Sequence, residues 1–252
     1  MVSAEPPTVT TSQRSTPAKG PNGSARLVAG ILVSLSILGI ARVHAAESDA
    51  STRSVPLLAD ARGVFEESRF RLPLPQRDAL DEDGKRLYDI ITARTIAGLR
   101  GPAGISLYSP KVARSLLDQQ LYLTTQANLG GRIRELAILV AAREMNSQFE
   151  WTVHEPLALA QGVDRDLIER IKVRGSLDGV VEEDAVVISL AREAFSKPGV
   201  TLETFIAAHS RFGDRGVVDL AALVGQYAAL SILLKTFDMQ LDRGQKPLLP
   251  MQ

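Results

Sequence analysis

"RIRELAILVAAREMNSQFEWTVHEPLALAQGV", Arg132 to Val163, decides how the chain folds. Its first half, through Asn146, is apolar on nearly every side, and a helix apolar all round is a buried one. Glu135 stands in it among Leu136, Ile138, Leu139 and Ala142. A carboxylate there is either paired or has its pKa raised by desolvation. The second half reads as another helix, from about Ser147 to Gln161, ended by Gly162. On it Glu150 and His154 are one turn apart and share a face, with Ser147 and Trp151 on the adjoining flank.

The same reading extends in both directions. Asp81 to Arg100 carries Leu87, Ile90, Ile91, Ile96 and Leu99 at helical spacing, and Gly101-Pro102 stops it. Ser109-Pro110 opens a helix running towards Leu129, with proline at the first position. Beyond Val163, Asp164 caps DLIERIK, a helix spans about Glu182 to Ser196, and Thr201 caps the next. A long apolar run from Gly216 to Leu241 closes the chain. No window alternates apolar and polar residues in the manner of a strand. The expectation is an all-α, single-domain bundle of about seven or eight helices over residues 76–252.

The first 45 residues differ. Arg14, Lys19 and Arg26 precede Leu27–Ala41, a 15-residue run without charge, and Val43-His44-Ala45 offers a small-residue cleavage site. That is the pattern of a signal peptide. An uncleaved N-terminal membrane anchor is the alternative, although a relaxed span needs roughly 20 residues. Either way the folded part is expected outside the cytoplasm, exported to a periplasm or secreted, with membrane contact only if the segment is retained. Residues 46–75, with Pro56, Pro73 and Pro75, read as a linker or wrapping arm.

Composition excludes several functions. The chain has 29 basic and 29 acidic residues among its 252 and only 5% aromatics, so nothing favours a nucleic-acid partner. It has no cysteine, which rules out disulfides, thiol nucleophiles, iron–sulfur clusters and thiolate metal sites.

Glu135, Glu150 and His154 remain as the candidate centre. A desolvated carboxyl beside an imidazole shuttles protons near neutral pH. The plainer readings are a surface i,i+4 pair worth a few tenths of a kcal/mol, and a buried Glu135 that only pairs with Arg132, Arg134 or Arg143. The same three side chains are also acceptable donors for a divalent first-row metal, though one histidine is thin for zinc. Pro156, inside the helix two residues after His154, frees the Thr152 carbonyl and either kinks the helix or opens space beside the histidine.

RELAILVAAR followed by EWTVHEPLALAQGVDRDLIERI resembles the carboxymuconolactone decarboxylase family, which includes the alkylhydroperoxidase D-like proteins. The resemblance extends from about Asp81 to Leu241. Its specific part is Glu135, then positions 147 and 150, then His154, followed by an acid and AxxxGV. In the peroxidase branch the two middle positions are the cysteines of a CxxC pair. Here they are Ser147 and Glu150, in an EW-x-x-H variant, and neither residue can exchange a disulfide.

The resemblance therefore implies the decarboxylase side of the family: cofactor-independent, all-helical homo-oligomers that act on a small-molecule substrate, without metal. It implies an acid–base lyase (decarboxylase) or isomerase working on a small organic acid or lactone through an enol-like intermediate. Such chemistry needs a proton donor at carbon and a cation or hydrogen-bond donor for the developing enolate. His154 would deliver the proton with Glu135 and Glu150 behind it, and Arg134 or Arg143 would hold an anionic substrate beside Ser147 and Trp151. The alternatives are a family-level peroxidase or antioxidant label without dithiol chemistry, and an exported binding protein that keeps the fold without activity. The closing helix, with apolar residues round most of its circumference, is expected to lie partly against another subunit.

Overall fold

A computed structural model describes residues 60–94 and 98–250. The expected signal or anchor segment, and the arm before residue 60, lie outside the described residues. After a short 3-10 turn at Arg77–Ala79, those described form eight α-helices: α1 (Glu82–Arg94), α2 (Pro102–Ser106), α3 (Pro110–Thr125), α4 (Gly130–Glu144), α5 (Gln148–Ala160), α6 (Arg165–Lys172), α7 (Glu182–Ser196) and α8 (Leu202–Thr236). No β-strand occurs among them. The all-α expectation holds.

α4 is the axis. It packs against α5, α7 and α8, and every residue from Glu135 to Arg143 is buried. Leu136, Leu139, Val140 and Ala141 join Ile188 of α7 and Leu220 and Leu223 of α8 in the main core. α4 ends where Asn146 takes a left-handed φ of 47°, a conformation that asparagine tolerates better than most residues. Ser147 N–H donates to the Ala142 carbonyl at 2.8 Å, closing the turn. The chain reverses within three residues, so α5 returns along α4 as a helical hairpin.

Local chemistry sets the other boundaries. Asp164 accepts from the backbone N–H of Asp166 and Leu167 at 2.8 and 3.2 Å, and opens α6. Thr201 caps α8 through Thr204 N–H. α5 continues through Pro156, which faces solvent.

Three expectations need correction. The helix read as Asp81 to Arg100 is helical over Glu82–Arg94, and residues 95–97 are not described. Gly101-Pro102 is not only a stop. Gly101 turns at φ 80° and Pro102 then starts α2, because a ring locked near the helical φ suits the first helical position. The closing run ends at Thr236 rather than Leu241. Together with the helix that Thr201 caps it makes up α8, which breaks close to the expected boundary at Gly216. The break is at Gly213, where φ 67° and ψ 179° admit little but glycine.

α8 buries more of itself than a single stripe. Leu220, Leu223, Val224, Tyr227, Leu230 and Leu234 are buried, whereas Val218 and Ile232 are 66% and 56% exposed. Gln226 is buried and donates to the Leu116 carbonyl of α3 at 3.0 Å, so it faces its own chain.

The described part of the arm clasps the far end of α8. Arg71 N–H donates to the Phe237 carbonyl and Gln240 N–H to the Arg69 carbonyl, each at 2.8 Å. Phe70 is fully buried against Ile105 of α2 and Leu234 of α8. Phe70→Ala should therefore cost about 3–5 kcal/mol, the range for emptying a buried aromatic site. Urea unfolding measures it. A loss within error of zero would mean that the arm is not part of the cooperative fold.

Candidate functional site

Glu135 and His154 lie at similar distances from the α4–α5 turn, and the hairpin brings them face to face. His154 Nδ1 is 2.8 Å from Glu135 Oε2. His154 Nε2, on the other side of the ring, is 3.5 Å from Glu150 Oε2. The imidazole thus stands between two carboxylates, one from each helix of the hairpin. Glu135 also holds Arg134, whose Nε is 3.3 Å from Oε1. Arg134 Nη1 reaches towards the Thr124 carbonyl of α3 at 3.4 Å.

The site is nearly dry. Glu150 is 3% exposed, Glu135 5%, and the His154 side chain 12%. Burial pushes the Glu150 carboxyl up to about 7, against the opposing pull of positive charge on His154. Glu150 Oε1 is buried without a hydrogen-bond partner. Such an oxygen is tolerated more readily on a protonated acid than on a carboxylate. With Nδ1–H donating to Glu135, Nε2 is left to exchange a proton with Glu150 or with a group that comes between them.

Ser147 is buried at the position before α5 and makes no side-chain capping bond. The structure places Trp151 and Arg143 elsewhere. Trp151 is fully buried in the core, its indole N–H donates to Glu155, and Lys172 Nζ lies 5.7 Å over its ring. Arg143 stands eight residues beyond Glu135, roughly 12 Å further along the α4 axis. It is fully buried, donates to Asn146 Oδ1, and leaves Nε and Nη2 unpartnered. Of the two candidate anion holders, Arg134 is the one beside the imidazole. The two carboxylates contact opposite ring nitrogens, so Glu135, Glu150 and His154 do not converge on one point as metal ligands would.

Tyr227 of α8, which is not singled out in the sequence analysis, joins this group. Its ring meets His154 edge-to-face, with centroids 5.1 Å apart. Burial first, then the charges of Glu150 and Glu135, hold its phenol well above the ordinary range. The available signal was a lone phenol in an apolar helix, since a buried tyrosine usually finds a polar neighbour for its hydroxyl.

The Glu150 carboxyl titrates near 7 in the fold and near 4.5 in an unfolded chain. Below the lower value the acid is neutral in both states, and as pH rises through the upper one the fold loses stability. Glu150→Gln removes that loss. The variant should be more stable than the parent by up to roughly 3 kcal/mol above neutrality, with the advantage gone near pH 4. Urea unfolding across that range tests it, and a difference independent of pH would refute the raised carboxyl.

No family model matches the chain, and no curated protein matches it. Two solved structures resemble it. One is described as the core of alkylhydroperoxidase AhpD, an uncharacterized peroxidase-related protein from Ralstonia eutropha JMP134. It is 16% identical, with a TM-score of 0.56 over 71% of this chain and 98% of that one. The other is a protein of unknown function from Agrobacterium tumefaciens, 17% identical, with a TM-score of 0.48 over 54% of this chain and 93% of that one. At such identities a likeness speaks for architecture. The chain has the all-helical alkylhydroperoxidase D-like fold.

Proposed function

We propose that this chain is a cofactor-independent acid–base enzyme, a lyase of the decarboxylase kind or an isomerase, acting on a small organic acid or lactone. One observation carries the reading: His154 is held between two buried carboxylates, one of which has its carboxyl raised to about 7. Glu135 keeps the proton on Nδ1 and the ring in place. Nε2 and Glu150 then share the proton that reaches the substrate. In a decarboxylation, the bond to the leaving CO2 breaks, its electron pair passes to an enolate, and the proton is delivered at carbon. Arg134, the cation beside Glu135, supports the negative charge.

Dithiol peroxidase chemistry has no place in this reading, because Ser147 and Glu150 occupy the positions of the redox pair and the chain contains no cysteine. We further propose that the protein is exported and works as a homo-oligomer. The uncovered stripe of α8, with Val218 and Ile232 at its two ends, supports assembly. Sedimentation at micromolar concentration should then give a mass of at least two chains, and a single-chain mass would overturn the assembly.

A screen of lactones, β-keto acids and enol acids should give turnover. His154→Ala should abolish it and Glu135→Gln should lower kcat by about 10²- to 10⁴-fold, the usual range for losing acid–base catalysis, with helical content unchanged in both. Turnover that survives His154→Ala would end the assignment, as would robust thiol-dependent reduction of hydroperoxides.

A further inference from the structure

The two contacts of His154 impose a demand on its ring. Glu135 lies 2.8 Å from Nδ1 and Glu150 lies 3.5 Å from Nε2, and they belong to different helices. Both are met in only one orientation of the imidazole plane. The torsion that turns the ring is broad and roughly two-fold, so the histidine's own bonds do little to hold it. Hydrogen bonding to Glu135 restrains one edge of the ring and leaves the plane free to swing about that contact.

α8 supplies what is missing. Tyr227 is buried, and its ring stands at 90° to the imidazole with centroids 5.1 Å apart. This is the separation of an edge-to-face aromatic pair in contact, which is a preferred arrangement. A swinging imidazole would have to enter the space that the tyrosine ring fills. The tyrosine has little room to give way, since Leu223, Val224 and Leu230 around it on α8 are buried in the main core. We propose that Tyr227 is a positioning residue for His154, and that its ring, not its hydroxyl, keeps the two imidazole nitrogens aligned with Glu135 and Glu150. The charged and titratable groups facing the imidazole are then Glu135 and Arg134 from α4, Glu150 from α5, and the phenol itself from α8. The phenol stays neutral, because burial and both carboxylates oppose its ionisation.

The consequence for turnover rests on the acid–base reading above, whereas the orientation of the ring does not. The test therefore needs a readout for each. Full-length chain labelled with ¹⁵N-histidine, with His154→Gln to assign the signal, reports the tautomer and the Nδ1 proton directly by NMR. Parent and Tyr227→Phe should show one Nδ1-protonated tautomer with a slowly exchanging proton. Tyr227→Leu should show averaged tautomers and a proton broadened by exchange. Any turnover found for the parent should stay within about twofold in Tyr227→Phe and fall at least about tenfold in Tyr227→Leu, the scale expected when a reacting group is misplaced. The pH–rate profile should shift only in the leucine variant. If the leucine variant does not fold, Tyr227→Met replaces it. A parent-like imidazole signal in the folded leucine or methionine variant overturns the proposal. So does a phenylalanine variant that behaves like leucine, which would assign the work to the hydroxyl. Absence of turnover in every form would count against the acid–base reading alone, while the imidazole signals would still decide the role of Tyr227.

Discussion

A carboxylate buried in the most enclosed helix of a protein has to be answered, and the bond between Glu135 and His154 is the answer. α4 is covered by α5, α7 and α8, so solvent cannot stabilise a charge on it. An isolated carboxylate there would be protonated or would unfold the helix around it. An imidazole at 2.8 Å and a guanidinium at 3.3 Å make it tolerable. The same enclosure that makes the pairing necessary removes water from Glu150 and raises its carboxyl to about 7. Burial of α4 and the proton chemistry of the site thus share one physical cause.

Much of this is legible in the sequence. Helix starts could be read because they rest on local chemistry: Asp164 and Thr201 accept from nearby backbone N–H groups, and proline fits the first turn at Pro110. α2 was hidden because a glycine–proline pair ends one helix and begins the next with the same two residues. The break at Gly213 is read three residues late, at Gly216, because a glycine in a polar stretch does not announce its dihedral angles.

The site divides along similar lines. Glu150 and His154 follow from helical spacing, and Glu135 from its apolar neighbours. Arg143 was indistinguishable from Arg134 in composition, and only the rise of the helix separates them. Trp151 shares a helix with His154, but spacing alone does not say that its indole turns to Glu155 and the core. Tyr227 is some seventy residues away along the chain, and long-range proximity is the information a single sequence carries least.

The turn at Asn146 governs which changes the lineage of this chain could survive. A helical hairpin closed in three residues has a fixed phase: each residue inserted between Glu135 and His154 would rotate α5 by about 100° relative to α4. One insertion there would sweep His154 off its carboxylate and turn a different face of α5 into the core. Replacements at Ser147 or Glu150 leave that phase untouched. The connection between α6 and α7 reinforces that turn, since Arg174 donates to the Arg143 carbonyl and to Glu144, each at 3.0 Å. The hairpin should therefore vary by exchange of side chains and not by length, so that new chemistry could arise on an old frame while the number of residues between the acid and the histidine stays constant.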